Sequence, residues 1–248
     1  ERVWDSSMVA DLANAGIDWT ILDDFHFKAA GLTNEVLDRY WTTESDGRTL
    51  AVFPGSEHLR YRIPFAAPDT TIEHLRFLAS RRQGAIAVFG DDGEKFGVWP
   101  KTHKTCFQDG WLQHFFRLLE ENQEWVTMSL PSEVIRSDSP GGKIWLPECS
   151  YREMTEWALP PAQQIACINA QHNAKSDPQQ ALIVPFIRGG SWKNFRSKYP
   201  EANEMYARMM VISNRLERMP RDSITDKIAY DEAIDSLYRG QCNCAYWH

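Results

Sequence analysis

The sequence predicts an α/β protein: parallel strands with crossover helices over residues 1–148, followed by a helix-rich subdomain over 149–248. Two observations predict it. Short apolar, β-branched runs alternate with helical patterns through the first part of the chain, and from residue 150 onward helical patterns follow one another without a strand between them.

In chain order, Met8, Val9, Leu12 and Ala15 share one helical face, with Asp5 or Ser6 as cap and Gly16 as stop, which predicts a helix over 5–15. The apolar run 17–22 then reads as a strand. A second strand is expected over 49–53, ended by Pro54-Gly55, a helix over 70–80 and a third strand over 85–89. A Gly-punctuated loop leads to a helix over 111–121 and a short strand over 125–128. Residues 137–142, Ser-Asp-Ser-Pro-Gly-Gly, read as a mobile loop. Beyond it, helices are expected over 151–158, 161–172, 201–217 and 225–238.

Composition narrows the function. With 43% hydrophobic residues the 248-residue chain can close a sizeable core. Its 27 basic and 34 acidic residues give a net charge of -7, and no basic block could neutralise a run of phosphates, so nucleic acid is not an expected partner. No apolar stretch is long enough to span a bilayer. The chain opens at Glu1 without an initiator Met, so the true start is expected upstream. Five cysteines (Cys106, Cys149, Cys167, Cys242, Cys244) without CxxC spacing fit reduced thiols in a cytoplasmic protein better than a disulfide framework or a zinc site. Self-association is left open.

In parallel α/β folds, chemistry collects at the C-terminal ends of strands. After the first strand come Asp23, Asp24 and His26; after the 85–89 strand come Asp91, Asp92 and Glu94, so two acidic clusters can face one cleft. Glycosidic cleavage needs two carboxyl groups flanking the scissile bond. Crowding of Asp91, Asp92 and Glu94 beside Lys95 would hold one carboxyl protonated by like-charge repulsion, as a general acid requires. A solvated acidic loop explains the same spacing equally well. The ten Trp, most of them accounted for by packing, offer flat faces on which sugar rings stack. Asp23, Asp24 and His26 could instead ligate a metal, but the seven histidines include no H-x-x-x-H pair, so neither a metal nor a cofactor is expected.

The run Gly90-Asp91-Asp92-Gly93-Glu94-Lys95-Phe96-Gly97-Val98-Trp99-Pro100 resembles the fourth conserved region of glycoside hydrolase family 57. The opening Glu1-Arg2-Val3-Trp4 is similar to its third region. The closing run from Gln241 through Cys242, Asn243, Cys244, Ala245, Tyr246 and Trp247 to His248 is similar to its fifth. Stretches between them, Leu22 to Phe27, Leu59 to Phe65, Ser150 to Trp157 and Arg188 to Phe195, resemble the family's 4-α-glucanotransferase branch.

The resemblance implies an incomplete (β/α)7-type barrel, because the family's first two regions are absent, and a helical subdomain closing the active site. It implies a retaining enzyme on α-1,4-glucans in which Glu1 is the nucleophile and Asp92 the general acid/base. Asp24, His26, Asp91, Glu94, Trp99, Cys244 and Trp247 would then bind substrate, with an α-glucan and acceptor sugars as partners. Cys244 stands where the family usually has Asp, and a thiol is a poor substitute for a carboxylate that binds hydroxyls. An α-amylase-type hydrolase of the same family and a non-catalytic glucan-binding homologue are the alternatives.

Overall fold

A computed structural model describes residues 2–220 and 224–246. The chain forms two compact units that meet in sequence between Ser150 and Tyr151.

The first unit is built on a three-stranded sheet. Helix α1 (Met8–Asn14) starts after a turn in which Asp5 Oδ1 accepts the Ser7 N–H at 3.0 Å, and Gly16 stops it at a φ of 77°. Strand β1 (Trp19–Asp23) runs directly into helix α2 (Asp24–Ala29). Strands β2 (Trp41–Ser45) and β3 (Arg48–Gly55) form an antiparallel hairpin. Asp46 and Gly47 close it, both at positive φ, as a tight two-residue turn demands. β3 pairs in parallel with β1, Trp19 opposite Ala51 through Asp23 opposite Gly55, so the order is β1-β3-β2. Ser56 caps helix α3 (Glu57–Arg62) by accepting the Leu59 N–H, and helix α4 (Pro68–Arg81) begins on a proline, where no N–H is needed. Helices α5 (Trp111–Glu121) and α6 (Pro131–Ser137) complete the unit.

One core joins Trp4, Val9, Leu22, Phe27, Leu50, Val52, Ile144, Leu146 and Cys149. Trp4 also bridges Cys149 through two backbone hydrogen bonds of 2.7 and 3.0 Å, which ties the start of the unit to its end. A second cluster stacks Tyr40 on Phe53.

Four expectations are corrected. The sheet is mixed, because β2 enters it antiparallel. Residues 85–89 form no strand: β2 occupies the flank of β3 as far as Val52, which leaves Val88 a single parallel bridge to Gly55, with Ser56 N–H donating to Val88 O at 2.9 Å. Residues 125–128 have no strand beside them. Their first residues close a turn on Asn122, which accepts the Trp125 indole N–H at 3.0 Å, and their apolar side chains line a groove between α4 and α5. The segment read as a mobile loop is also bound: Gly141 N–H donates to Tyr40 O, Gly142 O accepts from Thr42 N–H, and Ile144 N–H donates to Thr42 O, all at 2.8–2.9 Å. Glycine permits that approach, since a Cβ at Gly141 would sit 2.4 Å from the Arg39 side chain.

The second unit is helical. It contains α7 (Arg152–Trp157), α8 (Pro161–Ser176), α9 (Asn194–Lys198), α10 (Pro200–Glu217) and α11 (Lys227–Gly240). Prolines again open α8 and α10. Met154, Ala158 and Phe195 form its core, with Tyr151, Trp157 and Trp192 packed around them. Gly189 lies so near α7 that a Cβ there would fall 2.1 Å from Thr155 O, and Gly190 N–H donates to that same oxygen at 2.8 Å. That contact explains the paired glycines of the Arg188-Gly189-Gly190-Ser191-Trp192 stretch. Among the described residues no helix is long and apolar enough to cross a membrane.

Candidate active site

The charged groups gather at the end of β1, on α3 and in the loop after Val88. Asp23 closes β1, is 2% exposed, accepts from Arg60 Nη1 at 3.2 Å through Oδ2, and forms an ion pair with Arg2, whose Nε lies 2.7 Å from Oδ1. Arg60, on α3, also places Nε 3.5 Å from Asp91 Oδ1. The Asp91 side chain is fully buried and pairs through Oδ2 with Lys95 Nζ, which in turn donates to Arg60 O at 2.7 Å. Charges therefore alternate from Arg2 through Asp23, Arg60 and Asp91 to Lys95.

This arrangement corrects the expected crowding of three carboxylates. Asp91 turns inward onto two cations, while Asp92 and Glu94 are exposed. Asp92 stays attached to its neighbour, its N–H donating to Asp91 Oδ1 at 2.9 Å. A 3-10 turn, Gly93–Phe96, follows at once and brings Lys95 back under Asp91. The loop is then pinned: Val98 and Trp99 N–H both bond Glu94 O, Thr102 Oγ1 donates to Trp99 O at 2.7 Å, and Gly97 N–H donates to Thr102 Oγ1 at 3.1 Å.

Trp99 and Phe65 stack with centroids 6.1 Å apart, both on the surface, and the buried Lys95 ammonium lies 5.4 Å from each ring. A cation beneath an aromatic pair is favourable electrostatically and holds the rings in place. An exposed ring pair with one member on the same loop as an exposed carboxyl supplies the groups a sugar site uses, a face to stack on and an acid. Phe65 and Arg60 are not among the site residues expected from the sequence, and Lys95 is expected only as a neighbour of the acidic run. Arg60 and Phe65 stand 31 and 26 residues before Asp91, and only the fold brings them to the acidic run.

Asp24 faces elsewhere. It is buried, binds Lys28 at 3.1 Å, and its carboxyl is pushed up by burial, with Lys28 acting against that shift. It lines a separate polar cavity of about 380 Å³ with Glu57, His58, His74 and Arg81. His26 is fully buried against Phe25. Cys244 lies exposed in a 3-10 turn, Asn243–Tyr246, of the second unit. Glu1 and Trp247 lie outside the described residues. Among the described residues no group of three or more His, Cys, Asp or Glu is placed to hold a metal ion.

In the polar cavity the His58 and His74 rings stack at 3.9 Å. Burial, the neighbouring His58 and Arg62 lower His74 from 6.5 to about 4. As pH falls through that window the unfolded chain takes up a proton that folded His74 refuses, so stability is lost from 6.5 down to about 4. Urea midpoints measured across this range should fall with pH, and His74→Gln should flatten the slope.

Residues 1–147 match the family model described as Glycosyl hydrolase family 57, and residues 190–248 match the model described as Alpha-amylase/4-alpha-glucanotransferase, middle domain. The chain is 41% identical over 248 residues to a 4-alpha-glucanotransferase of Thermococcus kodakarensis, covering all of this chain and 36% of that one. It is 40% identical to Alpha-amylase 1 of Dictyoglomus thermophilum, covering 35% of that protein. The crystal structure of the Thermococcus litoralis 4-alpha-glucanotransferase superimposes with a TM-score of 0.84 at 40% identity, over all of this chain and 37% of that one. The chain thus spans a minor part of the length of these relatives.

Proposed function

We propose that this chain, which belongs to glycosyl hydrolase family 57, is part of a retaining enzyme that acts on α-1,4-glucans as a 4-α-glucanotransferase. The observation that carries the proposal is the setting of Asp92: an exposed carboxyl in the loop that follows Val88, anchored to a buried, charge-paired Asp91 and in the same loop as Trp99, which stacks on Phe65. Relatives that match the whole of the chain carry the names 4-alpha-glucanotransferase and alpha-amylase.

In this reading the Glu1 carboxylate attacks the anomeric carbon as Asp92 protonates the departing glycosidic oxygen. A glycosyl-enzyme results, and Asp92 then takes the proton of the incoming acceptor hydroxyl, so the α linkage is retained after two inversions. Trp99 and Phe65 stack on glucose rings, Glu94 binds hydroxyls, and Cys244 and Trp247 contribute from the closing motif. Asp24 and His26, both buried in α2, shape the end of β1 instead of touching the glucan. β1, β3 and Val88 succeed one another in parallel, which supports reading the first unit as part of an incomplete (β/α)7-type barrel. An α-glucan and acceptor sugars are the partners, and the cytoplasm is the proposed compartment.

Hydrolysis is the second reading, favoured by the relatives named alpha-amylase. The two differ only in whether water or a sugar hydroxyl intercepts the covalent intermediate. Products of the complete gene product on maltotriose separate them. Longer oligomers mean transfer, and glucose and maltose alone mean hydrolysis. No turnover at all, with glucan still bound, would leave a binding protein.

A further inference from the structure

The glycosidase reading leaves open what keeps the acid in register with the opposite side of the site, and the charged groups under Asp92 bear on that. Arg60 spans the end of β1 and the loop after Val88, with Nη1 3.2 Å from Asp23 and Nε 3.5 Å from Asp91. Both carboxylates are essentially inaccessible, at 2% and 0% side-chain exposure; each has a cation of its own, Arg2 or Lys95, and Arg60 is the one that reaches both. A guanidinium fork does this, whereas an ammonium is a single point charge. Asp91 then holds the Asp92 N–H at 2.9 Å, and the other oxygen of Asp23 holds Arg2, the residue that follows Glu1 in the chain.

We propose that Arg60 is a positioning residue: through Asp91 it fixes the backbone of Asp92, and through Asp23, which it shares with Arg2, it ties the acid to the segment that begins at Glu1. The inference rests on the glycosidase reading of Asp92. Lys95 is a second anchor of the same acid, held by Arg60 O and Asp91 Oδ2, and it survives loss of the Arg60 side chain because its bond is to the backbone oxygen. Removing the guanidinium therefore loosens Asp92 without freeing Trp99, which stays pinned through Thr102 and Glu94 O. The acid should lose its aim while the sugar platform keeps its place.

The test uses the complete protein and maltotriose, with Asp92→Asn as reference. Arg60→Ala should lower kcat about 100-fold with KM changed little, the loss expected when a reacting group is displaced by about 1 Å. The pH profile of kcat/KM should shift, and added guanidinium at a non-denaturing concentration should restore part of the rate. Arg60→Lys should recover only part, because one ammonium cannot bond both carboxylates as the fork does. A kcat within about threefold of the parent, or a loss that follows the unfolded fraction with an unmoved pH profile and no rescue, overturns the proposal. If Arg60→Ala does not fold, Arg60→Lys decides in the same way: a reduced kcat with a shifted profile supports the role, parental values remove it. Silent Arg60 variants alongside an inactive Asp92→Asn would sink the positioning role and leave the glycosidase reading intact. Near-normal turnover by Asp92→Asn would remove both.

Discussion

Asp92→Asn in the complete protein is expected to reduce turnover on maltotriose by about three to four orders of magnitude while maltooligosaccharide binding stays measurable. The substitution keeps size and shape. The backbone N–H that Asp91 accepts at 2.9 Å is unchanged, and the side chain it alters is exposed, so fold stability should hardly move. Only the transferable proton is lost. The neighbouring substitution is a sharp contrast: Asp91→Asn removes the charge that pairs with Lys95 and Arg60 in a fully buried setting, so stability should fall with activity. Turnover, binding by calorimetry and a thermal melt of the two variants together check the assignment. An Asp92→Asn protein with near-parental turnover would strip that residue of its role.

Trp4→Ala should be the costliest single change to the first unit, at about 3–5 kcal/mol of unfolding free energy. The indole is 1% exposed and shares a core with Val9, Leu22, Leu50, Ile144 and Cys149. Its removal leaves a cavity that strand and bridge contacts cannot collapse onto, because the backbone at residue 4 is still bonded to Cys149 on both sides. Denaturant unfolding of the complete protein should show the midpoint moving with little change in slope. A cost below about 1 kcal/mol would mean the site relaxes freely.

Much of this was legible in the sequence. The acidic run around Asp92 was found because its residues are contiguous, and α5 was found because Trp111, Leu112, Phe115 and Leu119 keep a strict helical period. The hairpin of β2 and β3 was missed although Asp46-Gly47 is a strong turn signal, since the polar β2 residues Thr42, Thr43, Glu44 and Ser45 do not look like a buried strand. The strand over 85–89 was expected from its apolar, branched residues, but whether such a run joins a ladder depends on who else claims the edge, and β2 claims it first. Arg60 and Phe65 were invisible as site residues for a related reason: their partners lie at Asp23, Asp91 and Trp99, and only topology brings those positions together.

The backbone of residues 141–144, laid along the outer side of β2, has a consequence for how the molecule behaves among its neighbours. An uncovered terminal strand is a template onto which another molecule can zip its own chain, and here that template is already taken by an intramolecular segment. The two consecutive glycines are what let that cover lie flat over the Trp41 ring. Strand addition at residues 40–42 is thereby blocked, whatever the sugar chemistry.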